Sequence, residues 1–117
     1  MMPDGILLLN GDLGSGKTVL TRGVASALGI EPDDIQSPTF TVIREHESAE
    51  NRLFHVDLYR LEPEQAAALG LEEMLAGPGV KVVEWAERLE FPVPGAQSLR
   101  LRRGVAADER IIEEVEI

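Results

Sequence analysis

The sequence contains no cysteine, few aromatic residues and no long apolar run. Without cysteine there is no disulfide, no thiolate nucleophile and no zinc–thiolate site. No apolar run approaches the ~20 residues that a membrane-spanning helix needs. The first residues, Met1 to Asp4, also lack the basic segment of a signal peptide. We therefore expect a cytoplasmic protein.

Basic residues are scarce as well. Lys and Arg total 11 against 21 Asp and Glu, so the formal net charge is −10. A chain this acidic repels a phosphate backbone, and tight unaided binding to RNA or DNA is therefore not expected. The acidic surface suits a basic protein partner, although it serves equally well to keep a protein in solution. At 117 residues we predict a single domain covering residues 1–117.

One glycine-rich stretch carries the strongest functional signal. It fits the P-loop pattern of Gly, four residues, Gly-Lys and Thr, and it consists of Gly11, Asp12, Leu13, Gly14, Ser15, Gly16, Lys17 and Thr18. Glycines allow such a loop to turn its backbone N–H groups around phosphate oxygens. Lys17 is predicted to reach the outer phosphates, and the Thr18 hydroxyl to bind Mg²⁺. The alternative is a plain glycine-rich turn between a strand and a helix.

The segments around this loop predict the fold. An apolar run, Ile6 to Leu9, predicts a buried strand before the loop, and helical spacing follows it. The buried stripe of that helix is predicted as Leu20, Val24, Ala27 and Leu28, with Gly29 as its stop.

Two hairpins and further short helices follow along the chain. Strand patterns cover 40–46, 53–58, 80–85, 98–103 and 110–117, and helical patterns cover 63–69 and 71–75. The hairpins break a strictly parallel order. The predicted fold class is therefore α/β: a P-loop NTPase-like mixed β-sheet flanked by helices in one small domain.

Two acids end predicted strands. Asp57 ends the second strand of the first hairpin, and Glu84 follows the apolar run Val80–Val83. Ligands of open α/β sheets bind beyond the carboxyl ends of the strands, and phosphoryl transfer needs a carboxylate to hold Mg²⁺ or to position water. The pattern does not decide which acid contacts the metal. A strand-end cap (Asp57) and a solvent-facing acid (Glu84) are the structural alternatives.

Four neighbouring positions are weaker candidates. His55 shares a strand face with Asp57; it could bond to the site, but a packed, neutral histidine is the favoured interpretation. Trp85 is predicted as a packing residue that could sense nucleotide. Ser37 and Thr39 could approach the γ-phosphate as a switch loop does, against the alternative of an ordinary proline turn.

Guanine specificity is not indicated. The two asparagines, Asn10 and Asn51, do not precede a lysine, so an Asn-Lys-x-Asp loop is absent. ATP with Mg²⁺ is the predicted ligand pair. His46 is predicted to be an exposed strand residue, outside any site.

Four blocks in series resemble the bacterial TsaE family, also called YjeE. They are the P-loop of residues 11–18, Ser37–Thr41, His55–Leu61 and Val83–Trp85. The resemblance implies an ATPase of tRNA threonylcarbamoyladenosine (t6A) modification at adenosine-37, weak alone and stimulated by partners. Its hydrolysis would drive or reset the TsaD–TsaB complex, and tRNA would be met only through these partners.

The resemblance also implies residue roles. Lys17 and Thr18 would bind phosphate and magnesium, Glu84 would be a magnesium ligand, and Asp57 would be needed for hydrolysis. The segment Ser37–Thr39 becomes a neighbour of the site.

Two departures from the family pattern are visible. Members of that family carry a further strand and helix ahead of the P-loop strand, whereas ten residues precede Gly11 here. We therefore expect the phosphate end of the site to be more complete than the adenine end. Val19 stands where a second threonine is common, with little expected effect because Thr18 keeps the metal hydroxyl.

Two other functions compete with a partner-stimulated ATPase. A small P-loop metabolite kinase would need an acceptor pocket and an arginine-bearing lid, for which 117 residues leave little room. A nucleotide-dependent binding module with incidental hydrolysis is favoured by the short N-terminal segment. The acids Asp57 and Glu84 favour the enzyme.

Overall fold

The computed structural model describes residues 5–11, 17–35, 43–58, 70–86, 89, 93–103 and 110–115. Within these ranges the strands are β1 (Ile6–Asn10), β2 (Ile43–Glu47), β3 (Arg52–Asp57), β4 (Val80–Glu84), β5 (Gln97–Arg103) and β6 (Arg110–Val115). The α-helices are α1 (Lys17–Ala27) and α2 (Leu71–Ala76), and a 3₁₀ turn spans Pro32–Asp34. The longest described helix has 11 residues, and none of the described helices could span a bilayer.

The strands form one mixed sheet in the order β2-β3-β4-β1-β5-β6. The four central strands are parallel, while β2 and β6 pair antiparallel at the two edges. The predicted mixed sheet and both predicted hairpins are therefore confirmed. The predicted helix over 63–69 lies outside the described residues.

Strand β1 is buried on both faces, which explains its unbroken apolar sequence. Leu7 and Leu9 pack into a core shared with α1, and Leu8 packs into a second core shared with α2. Side chains alternate between the two faces along a strand. The same alternation assigns the side chains of β3 and β4 to the two cores. Leu53 and Val82 face α1, while Val56 and Val83 face α2.

The buried face of α1 differs in part from the predicted stripe. Val24 is buried, and Leu20 and Leu28 are packed against the core as expected, but Ala27 is exposed. The buried helix residues are Lys17, Thr21, Val24 and Ala25. Positions 17, 21, 24 and 28 follow the 3.6-residue repeat, and position 27 falls off that line. The predicted stripe missed Ala25 as well as the buried lysine and threonine.

Helix α1 ends at Ala27, and Gly29 is the stop residue after it, as predicted. Gly29 has a φ of +78°, its N–H donates to the carbonyl of Ser26 at 3.1 Å, and the Ile30 N–H donates to that of Ala25 at 2.9 Å. This is the paired hydrogen-bond pattern of a Schellman motif. Ser48 and Asn51, from the β2–β3 turn, both donate side-chain hydrogen bonds to the carbonyl of Leu28. The end of the helix is thereby joined to the first hairpin.

Two glycines of this region allow a matched stability test. A Cβ at Gly29 would meet Ser48 only at 3.8 Å, so Gly29→Ala is penalised by its positive φ rather than by a clash. We expect a loss of about 1 kcal/mol in unfolding free energy. Gly23 lies inside α1, and a Cβ there meets nothing within 4 Å, so Gly23→Ala should gain about 0.5–1 kcal/mol. Urea unfolding followed by circular dichroism measures both, and changes of the same sign would contradict this account.

Candidate functional site

The carboxyl ends of the parallel strands β1, β3 and β4 lie side by side, and Gly11 directly follows β1. β4 lies between β1 and β3, and Glu84 is in register with both Leu9 and Asp57. Register partners on neighbouring strands lie about 4.8 Å apart. The alternation that directs Leu9 toward α1 puts Asp57 and Glu84 on the same side of the sheet. The two acids predicted from strand ends are therefore neighbours, beside the start of α1.

Glu84 contacts the P-loop threonine. The Thr18 hydroxyl lies 3.2 Å from Glu84 Oε1 and 3.4 Å from Oε2, and it donates to the carboxylate. Glu84 is only 3% exposed, so the alternative of a solvent-facing acid is wrong. Residues 66 positions apart in the sequence, both predicted as magnesium ligands, are thus brought together by the fold.

The oxygen pair at this point fits Mg²⁺. Two adjacent ligands of an octahedral Mg²⁺, each at about 2.0–2.1 Å from the metal, lie about 2.9 Å apart. The Thr18 and Glu84 oxygens are already 3.2 Å apart, and both are hard oxygen ligands of the kind that Mg²⁺ prefers. No group of three His, Asp or Glu within the described ranges could hold a metal by itself. A metal shared with a nucleotide needs fewer protein ligands, because phosphates and waters supply the others.

Lys17 is held at the start of α1 by the loop and by an indole ring. Its side chain is 5% exposed, its Nζ donates to the carbonyl of Gly11 at 2.6 Å, and it lies 4.1 Å from the centroid of the Trp85 ring. Burying a cation is favourable only where it finds polar or anionic partners, so the ammonium of Lys17 suits the anionic ligand that the sequence predicts.

Trp85 reaches Lys17 through an uncommon backbone conformation. Its φ is +60°, in the left-handed region that bulky residues rarely adopt. Such a conformation costs on the order of 1–2 kcal/mol, comparable to the ~0.5–2 kcal/mol of a cation–π contact. The chain turns sharply after Glu84, and the ring comes to rest against the ammonium. Trp85 was predicted to be chiefly a packing residue, and the structure adds this contact with the site lysine.

His55 joins the same cluster from β3. It is fully buried, and its Nε2 contacts Glu84 Oε2. Packing and bonding to the site, posed as alternatives from the sequence, therefore both hold. The two-residue period that put His55 on the Asp57 face was the only signal for this contact. His46, predicted to be exposed, is half-buried on β2.

The predicted site residues divide into two groups. Gly11, Lys17, Thr18, Asp57 and Glu84 lie in the described ranges. The others lie outside the described residues, and their roles stay predictions: Asp12, Leu13, Gly14, Ser15, Gly16, Ser37 and Thr39.

Known proteins share this arrangement of sequence and fold. The sequence model of one family, described as threonylcarbamoyl adenosine biosynthesis protein TsaE, matches residues 1–112. The chain belongs to the TsaE family. Membership agrees with the resemblance seen in the four sequence blocks.

Individual TsaE proteins support the assignment. The tRNA threonylcarbamoyladenosine biosynthesis protein TsaE of Bacillus subtilis is 43% identical over 110 residues, covering 94% of this chain and 68% of that protein. The protein of the same name from Nostoc is 44% identical, covering 74% of this chain and 55% of its own length. A crystal structure of B. subtilis YdiB superimposes with a TM-score of 0.72 at 38% identity, covering 94% of this chain and 66% of that one. The chain thus spans about half to two thirds of the length of these TsaE proteins.

Proposed function

We propose that this chain is a Mg²⁺-dependent ATPase of tRNA threonylcarbamoyladenosine biosynthesis. One observation carries the enzymatic part of the proposal: the contact between the Thr18 hydroxyl and the buried Glu84 carboxylate, next to Lys17. Membership of the TsaE family supports the pathway.

Each residue of the site has a separate proposed role at the phosphate end of the nucleotide. The phosphate-binding role is assigned to residues 11–16 from their sequence pattern, and Lys17 would neutralise the outer phosphates. Thr18 and Glu84 would hold the metal, which would offset charge on the phosphate oxygens. Asp57, adjacent to Glu84 across the sheet, orients the attacking water and accepts its proton. ATP rather than GTP is proposed because the sequence lacks a guanine-recognition loop.

The surface charge supports a partner-dependent role. With a net charge of −10, the chain does not attract tRNA by itself, whereas basic surfaces of protein partners would complement it. We propose that it works in the cytoplasm as a single domain, residues 1–117, on the TsaD–TsaB complex. Hydrolysis is weak alone, is stimulated by this complex, and drives or resets its conformation. The tRNA is then handled by the partners.

Association with the partners is the direct test. The tagged chain, incubated with purified TsaD and TsaB, should retain both on affinity resin, and more strongly with ATP and Mg²⁺ than with EDTA. Phosphate release measured in the same mixtures should rise several-fold over the chain alone. TsaB without TsaD serves as the control for non-specific adhesion to an acidic protein.

The outcomes separate the parts of this proposal. Binding of ATP without association in either nucleotide state would count against the TsaD–TsaB role and leave a nucleotide-binding protein. Association without stimulated phosphate release would favour a nucleotide-dependent binding module over an ATPase.

A further inference from the structure

His55 is a buried polar side chain that the proposed reaction does not use. It is 0% exposed and lies between Leu53 and Asp57 on the face of β3 that packs toward α1. Burying a polar group costs free energy unless it is hydrogen-bonded. Its Nε2 contacts Glu84, while its Nδ1 has no hydrogen-bond partner among the described residues. The contact with Glu84 is therefore the polar contact that the described residues offer this ring.

The Glu84 carboxylate is held by two donors from different elements. An ionised carboxylate only accepts hydrogen bonds, so the ring nitrogen facing Oε2 carries the hydrogen and donates it. The Thr18 hydroxyl, from α1, lies closer to Oε1 than to Oε2. The terminal torsion of a glutamate is otherwise broad and roughly two-fold. With Oε2 held by His55, the plane of the carboxylate is set and Oε1 is turned toward Thr18.

Stability alone gives little reason for a histidine at this position. Its register partner on β4 is Val82, and both Val82 and the preceding Leu53 belong to the apolar core. An apolar side chain at position 55 would extend that core. Replacing a buried polar or charged pair by well-packed apolar residues is often neutral or stabilising.

We propose that His55 is a positioning residue that orients the Glu84 carboxylate for Mg²⁺. The proposal rests on the magnesium–nucleotide site proposed above. His55 touches neither nucleotide nor metal; it keeps one carboxylate oxygen occupied and leaves the oxygen nearest Thr18 for the metal. Groups that hydrogen-bond to metal ligands typically change metal affinity by about 10–100-fold when they are removed.

Two variants that carry the same amide group on side chains of different length test this role. The amide of His55→Gln can approach the place of Nε2, whereas that of His55→Asn reaches only the place of Nδ1. ADP affinity is measured by calorimetry with Mg²⁺ and with EDTA. We expect His55→Asn to lose about tenfold or more of the gain in affinity that Mg²⁺ provides, with affinity in EDTA unchanged. His55→Gln should retain most of that gain.

The unaltered protein offers a second, independent readout. The chain has two histidines, so long-range ¹H–¹⁵N spectra contain only two imidazole rings, which a His46→Gln variant assigns. Adding Mg²⁺ to the ADP-bound protein should shift the ring resonances of His55. His46 is the internal control: it is in register with Leu53, about 13 Å along β3 from Asp57, and should not shift.

The results separate this proposal from the proposed function. If ADP affinity of the unaltered protein does not respond to Mg²⁺, the magnesium site itself is wrong. If it responds, but His55→Gln and His55→Asn lose the response equally, the positioning role is overturned. His55 resonances that do not shift during Mg²⁺ binding would overturn the positioning role as well. Because this measurement uses the unaltered protein, it tests the role even if either variant fails to fold.

Discussion

Lys17→Ala should reduce nucleotide affinity to below the detection limit of calorimetry. The ammonium is held between the Gly11 carbonyl and the Trp85 ring, so it is in place before a ligand arrives. Charge-assisted hydrogen bonds contribute about 1.5–3 kcal/mol each. Two such bonds to phosphate oxygens amount to about 3–6 kcal/mol, or roughly 10²–10⁴-fold in the dissociation constant.

The control for this variant is another cation of the same sheet. Arg52 lies at the amino end of β3, half-exposed and paired with Glu45 and Glu47. Arg52→Ala removes the same formal charge, but at the amino ends of the parallel strands, whereas the candidate site lies at their carboxyl ends. The ADP affinity of this variant should match that of the unaltered chain. Thermal unfolding of both variants checks their folding. Lys17→Ala with unchanged affinity would remove the basis of the phosphate-loop assignment.

Asp57→Asn should abolish most hydrolysis while leaving nucleotide binding intact. The side chains are nearly isosteric, so the change removes a charge and a proton acceptor but little volume. A positioned general base contributes about 10²–10⁴-fold to a rate, and a loss in that range is expected for phosphate release in the presence of TsaD and TsaB. ADP affinity should stay unchanged, because Glu84 and Thr18 are assigned the metal.

An acid on the neighbouring strand is the matched comparison for Asp57. Glu45 is exposed on β2 and pairs with Arg52, away from the carboxyl ends of the parallel strands. Glu45→Gln should hydrolyse ATP at the original rate. Unchanged turnover of Asp57→Asn, with the partners present, would take Asp57 out of the mechanism. Loss of both turnover and binding would instead make Asp57 part of the nucleotide site itself.

Much of the secondary structure could be predicted because burial determines which residue types follow one another along a strand or helix. A parallel strand covered on both faces has a continuous apolar sequence, as Ile6–Leu9 does, and Val80–Val83 departs from it only at Lys81. Hairpin strands lie close together along the chain, so β2 and β3 could be paired in advance. The glycine at position 29 marked the end of α1 because few other residues adopt a positive φ without strain.

The errors and omissions have a common physical origin. Ala27 was assigned to the buried stripe because it is apolar, whereas the buried positions of α1 include Lys17 and Thr21. Long cationic side chains can bury their stems while their heads reach a polar partner. Hydropathy alone does not contain that information. His46 was likewise assigned to the surface by type, although the side chain is half-buried.

The sequence by itself determined the α/β class and the two strand-ending acids and predicted the phosphate loop, since each depends on residues that are close along the chain. Only the tertiary structure decided that β4 lies between β1 and β3. That strand order brings Thr18, His55 and Glu84 together and puts Trp85 beneath Lys17. Contacts across dozens of residues follow from which strands pair, and pairing is a property of the whole sheet that no local pattern records.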